Sequence, residues 1–172
     1  MSGVTVEIKG LQEIDRMFQQ LPKQVNQDAV WAKFWRLNSK PLIKAAKQNA
    51  PVADKDIVYP ADPSLKIKKG TLRDSIIFYR TKASKKYYGG YVGPRVKGKY
   101  KKNKGGYFGA FVEYGHKSGH KGNTKAFPFM EKAWGQAHGI VLTNGMKDSE
   151  KIFTKVLKSH EKRLQKYGTF GY

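Results

Sequence analysis

Gly70-Thr71-Leu72-Arg73-Asp74-Ser75-Ile76-Ile77-Phe78-Tyr79-Arg80-Thr81 is the stretch on which the fold turns. Thr71 with an acid three positions on approximates a capping box, Asp74 standing where Glu would be stronger, and predicts one helical turn. The β-branched and aromatic run from Ser75 to Thr81 then predicts a strand. A Lys/Ser turn over 82–86 and an antiparallel neighbour from Tyr87 to Val92 follow. Gly89-Gly90 is expected to weaken or bulge that second strand.

Upstream, Val4, Val6 and Ile8 alternate with polar residues, a short half-buried strand ending at Gly10. Leu11, Ile14, Phe18 and Leu21 change the period to three and four, an amphipathic helix closed by Pro22. From Lys23 to Asn49, Val25, Ala29, Ala32, Leu42, Ala46 and Ala50 trace one helical face, widened by Trp31, Phe34 and Trp35. Pro41 lies inside this run and removes a backbone donor, so a kink or two consecutive helices are expected near residues 38–40. Ala50-Pro51 ends the helix, and residues 51–69, with Pro51, Pro60 and Pro63, read as a connecting loop.

Downstream, Tyr107 to Gly115 is apolar apart from Glu113; helix and strand are both open to it, and Gly115 fits a helix C-terminal cap. Pro128 opens a helix on which Met130, Ala133 and Trp134 share a face. A final helix from Asp148 to Lys166 is expected to bury Ile152, Phe153, Val156, Leu157 and Leu164, so that residues 146–172 form a C-terminal helix and tail. Asn144-Gly145 is expected to separate these two helices, one continuous helix over 128–166 being the alternative. No internal repeat is present, and at 172 residues a single domain over 1–172 is the expectation, since domains cluster at roughly 100 to 150 residues.

The chain carries 34 Lys+Arg against 13 Asp+Glu, a formal charge of +21, and no cysteine. Without thiols there is no disulfide framework, thiolate metal site or cysteine nucleophile. Hydrophobic residues at 39% and aromatics at 13% are too abundant for a disordered basic tail. No window approaches the ~18 apolar residues of a membrane span, and Met1-Ser2-Gly3-Val4 has neither a basic start nor an apolar continuation. The expectation is a soluble, unexported chain with no membrane partner. Residues 80–125 hold 13 basic groups against Glu113 alone, and 10 of the 18 glycines. Within them, residues 95–107 have no periodic apolar face and read as a long exposed basic loop. One-sign charge interleaved with Tyr100 and Tyr107 points to an acidic partner, with Arg95, Lys97, Lys99, Lys101, Lys102, Lys104, Lys117 and Lys121 as its contacts. If the partner is nucleic acid, lysines would neutralise phosphates without reading sequence, because arginine, the residue that reads guanine bidentately, is scarce here.

Catalytic constellations are lacking. His116 and His120 have no companion ligand but Glu113 and stand among lysines, which disfavours a cation. Gly98, Gly105 and Gly106 are not followed by the Gly-Lys-Ser/Thr of a phosphate loop, and Asp54, Asp56 and Asp62 lack calcium-loop spacing. His138 and His160 read as helix-boundary residues. The expectation is a non-enzymatic protein without metal or other cofactor.

Five segments in order carry a resemblance: Gly10-Leu11-Gln12-Glu13-Ile14 after a short strand; Ala45-Ala46-Lys47-Gln48-Asn49-Ala50-Pro51-Val52; Gly70 to Ile76; Phe111-Val112-Glu113-Tyr114-Gly115; and Ala126-Phe127-Pro128-Phe129-Met130 with Ala133-Trp134. Their succession resembles the tail-completion, head-to-tail joining family of tailed bacteriophages, over about Val4 to Trp134. The resemblance implies an α+β fold: a small antiparallel sheet packed against a long kinked N-terminal helix and C-terminal helices. It further implies a virion structural protein of the neck or upper tail, forming a sixfold homo-oligomeric ring. Its partners would be further copies of itself, neighbouring neck, connector or tail proteins, and phage DNA in the channel. The virion would be its location, and the host cytoplasm its place during assembly. Gly70, Leu72, Arg73 and Ser75 match one family element and Glu113, Tyr114 and Gly115 another, with Pro128, Phe129 and Trp134 in the third. Gly70 and Gly115 would serve tight turns, and Leu72 and Tyr114 core or interface anchors. Arg73 and Glu113 could pair with each other, pair across a subunit boundary, or stay separately solvated. One departure stands out: His116 to Lys125 replaces the family's short Thr/Ser stretch. Sequence-independent nucleic-acid binding is the alternative function.

Overall fold

The computed structural model describes residues 14, 16, 18–22, 26–59, 62–82, 88–95, 108–118 and 122–167. The strand expected over Val4 to Ile8 lies outside them, as does most of the turn expected over 82–86. Of the first predicted helix, Ile14, Arg16, Phe18 and Gln19 are helical, and Ile14, Phe18 and Leu21 are buried, as their spacing requires.

Helix α1 (Gln27–Asn38) starts at Asn26, whose Oδ1 accepts the Ala29 N–H at 3.1 Å. That satisfies one of the amides a helix start leaves free. Ser39 separates α1 from α2 (Lys40–Asn49). Pro41 has no N–H to donate to the Leu37 carbonyl; the Ser39 N–H turns back to Trp35 and Leu37 instead. The break is thus two consecutive helices where the proline demanded one. Residues 51–69 correct the connecting-loop expectation. They contain an antiparallel pair, β1 (Ile57–Tyr59) and β2 (Asp62–Ile67), in register Ile57↔Ile67 with an irregularity after Val58. Among the described residues this sheet has two strands, each an edge, and an edge tolerates Pro63. Buried Ile67 anchors the hairpin, and Asp56 Oδ1 accepts the Lys69 N–H at 2.7 Å at its base.

Helix α3 (Thr71–Ser75) is the expected single turn, but the capping box does not form. The N-cap is Gly70 in the left-handed region (φ +80°), and Thr71 Oγ1 donates backwards to the Lys68 carbonyl at 2.5 Å. Strand β3 (Ile76–Tyr79) pairs antiparallel with β4 (Tyr91–Pro94), Ile76 opposite Pro94 and Tyr79 opposite Tyr91. The partner strand therefore begins later than the expected Tyr87. Gly89-Gly90 leads into it rather than bulging it, the register running unbroken to Tyr91, and the Phe78 ring occupies the space a Cβ at Gly90 would need.

After α4 (Gly109–Tyr114), β5 (His116–Ser118) and β6 (Gly122–Thr124) pair antiparallel within the histidine-containing insertion. Helix α5 (Phe129–Tyr167) then runs unbroken for 39 residues, about 58 Å at 1.5 Å per residue. This overturns the expected separation at Asn144-Gly145. Gly145 is buried at the crossing with α1, where an added Cβ would stand 3.9 Å from the Phe34 ring. Packing, not local propensity, carries the helix through the glycine.

Two cores line α5. Towards its C-terminal half, Ile14, Phe18, Leu21, Val30, Trp31 and Phe34 enclose Ile152, with Phe153, Val156 and Leu157 at the margin. The side chain of Leu164, expected on the same face, lies outside the described residues. Phe18, Trp31 and Phe34 meet edge to face at 4.7 to 5.9 Å, each such pair worth about 0.5–1.5 kcal/mol beyond burial. Towards its N-terminal half, Ala45, Ala46 and Ala50 of the α2 face meet Phe129, Ala133 and Ala137, with Ile76 against them. Small residues on both helices permit close approach. The chain is α+β: helices packed around a long C-terminal helix, with antiparallel strand pairs beside them.

Candidate functional site

The start of α5 is where the sequence motifs converge. Helix α4 closes at Gly115 with φ +71°, the helix C-terminal role expected of it. The last turn of α4 directs Glu113 onto the first amides of α5: Oε2 accepts the Met130 N–H at 2.9 Å and Oε1 the Glu131 N–H at 3.1 Å. The Phe127 N–H donates to the Val112 carbonyl at 2.8 Å and fixes the two segments against each other. A carboxylate here satisfies two orphan donors and meets the positive end of the helix dipole. Glu113 is accordingly buried, at 8% exposure, although it carries charge.

This geometry excludes one reading of Arg73 and Glu113, the pair with each other. They do not pair: Arg73 Nε lies 3.6 Å from Asp74 Oδ1, an exposed contact between neighbours. Leu72 packs at the edge of the second core, Ser75 is fully buried with its hydroxyl donating to the Leu72 carbonyl at 2.6 Å, and Phe129 is fully buried. Gly70 is required by its positive φ, and the Pro128 carbonyl accepts the Lys132 N–H in the first turn of α5. Trp134 is half-buried, its ring 5.9 Å from His138. Tyr114 is not a core anchor, standing 82% exposed. Phe127, 41% exposed, carries Lys132 Nζ 4.7 Å above its ring. The junction therefore presents aromatic surface outside a polar clamp.

Of the expected acidic-partner contacts, Arg95 follows β4 and is exposed, its N–H extending the ladder to the Ser75 carbonyl at 3.0 Å. Lys117 is exposed on β5. Lys97, Lys99, Lys101, Lys102, Lys104 and Lys121 lie outside the described residues, as does His120. His116 is on β5, its ring 5.0 Å from that of Phe111. Among the described residues no three His, Asp or Glu side chains gather as metal ligands would. No described helix is long and apolar enough to cross a membrane. An apolar cleft of about 410 Å³ opens beside the junction, between Pro51, Val52, Ile67, Leu72, Phe108 and Val112. It offers no acid and base pair, its one ionisable lining residue being Lys68.

Two features escaped sequence reasoning. Arg80, one of the 13 basic groups of residues 80–125, has an 8% exposed side chain that bonds Asp28 Oδ1 at 2.6 Å, the Asp28 carbonyl at 3.3 Å and the Gly89 carbonyl at 2.9 Å. It ties the β3–β4 hairpin to the start of α1, a partnership across 52 residues with no local signal. The second is a set of exposed apolar side chains on α5. Around its middle, Ile140 (53% exposed), Leu142 and Met146 stand in the open, and an added Cβ at Gly135 or Gly139 would touch nothing. No protein-family model, curated protein or solved structure matches the chain.

Proposed function

We propose that the protein is a structural subunit of a bacteriophage neck or upper tail, closing into a homo-oligomeric ring that completes the head-to-tail connection. The carrying observation is convergence. Ala45, Ala46 and Ala50, Leu72 and Ile76, Val112, Phe129 and Met130, and Ala133, drawn from four of the motif segments, meet in one core. What supports the reading is that the segments carrying the likeness pack against one another. What that scaffold leaves outside suits assembly: Tyr114 and Phe127 beside the Glu113 clamp, and Ile140, Leu142 and Met146 on α5. Leu142 and Met146, four residues apart, share one face of the helix, and exposed apolar side chains grouped in this way are a feature of contact sites.

In this reading the mechanism is geometric and electrostatic. The helical body forms the ring, and the basic segment 95–107 meets an acidic neighbouring ring or the DNA in the channel. A sixfold ring multiplies a +21 charge, so closure needs an acidic template or screening salt. Disrupting the gene in the phage that encodes the protein should leave filled heads and free tails unjoined under the electron microscope. Normally joined particles would sink the proposal.

A second reading, sequence-independent nucleic-acid binding without assembly, draws on the 13-to-1 excess of basic groups in residues 80–125. It requires a monomer that binds DNA by itself and is dispensable for joined particles.

A further inference from the structure

Lys147, Lys151, Lys155, Lys158, Lys162 and Lys166 follow one another on α5 at intervals of four, four, three, four and four residues, and all six are exposed. That spacing keeps them on one face of a 3.6-residue helix, a row about 28 Å long at 1.5 Å per residue. The opposite face is already engaged: Ile152, Phe153, Val156 and Leu157 lie in or against the first core. Among the described residues no carboxylate forms an ion pair with Lys147, Lys151, Lys155, Lys158 or Lys162. Glu150 and Glu161 are on the same half of the helix, exposed and equally without an ion pair to the row. Like charges at i, i+4 repel one another on a helix surface, so the row destabilises the free protein.

We infer that this lysine row binds the phosphate backbone of a nucleic-acid duplex, without reading its sequence. A linear array of one-sign point charges matches a linear polyanion, whose phosphates recur every 3.4 Å or so along each strand. The row's composition separates this occupant from the other acidic ones. Lysine is depleted from protein–protein interfaces, whereas as a point charge it neutralises phosphate without a fixed geometry. Every member of the row is lysine. A lipid surface would need exposed apolar side chains flanking the row, and among the described residues Ile152, Phe153, Val156 and Leu157 lie in or against the core instead. The row is separate from the 95–107 segment and from the apolar surface proposed for ring contact, and the inference does not rest on ring formation.

The test uses the full chain and a fluorescein-labelled random-sequence DNA duplex of about 24 base pairs, longer than the row at 3.4 Å per pair. Binding is followed by anisotropy across a salt series. In the variant Lys151→Gln, Lys155→Gln, Lys158→Gln, Lys162→Gln, the slope of log affinity against log salt should become shallower by roughly 3 to 4, at about 0.9 for each phosphate no longer neutralised. Affinity at low salt should fall at least about tenfold on the same account. A control removing equal charge elsewhere, Lys33→Gln, Lys40→Gln, Lys44→Gln, Lys55→Gln, should change the slope by less than about 1. Arginine at the four row positions should restore binding, and unchanged far-ultraviolet circular dichroism should show the helix intact. Equal losses in row and control variants would overturn the inference in favour of net charge alone. So would an undiminished slope in the row variant, or wild-type protein that ignores the duplex but binds polyglutamate through these lysines. Ring formation, read separately by particle mass, is untouched by any of these results.

Discussion

Glu113 accepts the Met130 amide at 2.9 Å, so the carboxylate closing one short helix opens a 39-residue one. A side chain from outside the helix thus does what an N-cap residue ordinarily does, and holds the α4–α5 junction at a fixed angle.

Replacing Glu113 by Ala should therefore cost about 0.5–2 kcal/mol, the range for loss of an N-cap, in urea or thermal unfolding. Glu113→Gln keeps an acceptor but loses the charge that meets the helix dipole, and should cost less. Hydrogen exchange at the Met130 and Glu131 amides should quicken in both. Protection equal to wild type would contradict the cap.

Arg80→Ala removes three hydrogen bonds and a largely buried guanidinium. A loss of about 1–3 kcal/mol is expected, below the cost of a fully buried pair because Asp28 is partly exposed. Arg80→Lys should recover little, since an ammonium cannot span both Asp28 and Gly89 as the fork does. Denaturant midpoints of the two variants against wild type decide the matter.

The glycines should divide by sign. Gly145→Ala should stabilise by about 0.5–1 kcal/mol, because the new methyl meets Phe34 and Asn38 at ordinary van der Waals separation and helix propensity improves. Gly90→Ala and Gly109→Ala should destabilise, their Cβ atoms overlapping the Phe78 ring and the Pro94 ring respectively. Thermal midpoints rising for the first and dropping for the other two are the expected pattern.

Leu142→Glu with Met146→Glu changes only exposed positions of α5. The monomer's stability should move by less than about 0.5 kcal/mol. If this face joins subunits, particle mass by native mass spectrometry or light scattering should collapse to the monomer under conditions where wild type assembles. Assembly at wild-type mass would remove the face from the ring contact.

Much of the helical framework is legible from local rules. Pro41 marks the α1–α2 break because it lacks a donor, and Gly115 ends α4 because it accepts a positive φ. Ile14, Phe18, Leu21, Phe34, Ala46 and Ile152 are buried because their spacing places them on one face. Local rules fail where a residue's partner is distant. The prolines of 51–69 hide a hairpin that Ile67 fastens to the core, and Thr71 offers a capping box that Gly70's left-handed backbone replaces. The lysine row on α5 was written in the sequence throughout. It becomes a surface only once one helix, not two, runs from Phe129 to Tyr167.

Periodicity, proline and glycine chemistry and charge act over a turn or two of chain, and they alone determine the α+β class, the apolar faces and the +21 excess. The partners of Glu113, Arg80 and Gly145 lie 17, 52 and about 110 residues away, and folding chose them. Such contacts depend on how packed elements approach one another, which no window of sequence contains. Burial then turned Glu113 and Arg80 from charges that could have met a partner into ties within the fold, and left the exposed lysines of α5 to face the acid outside.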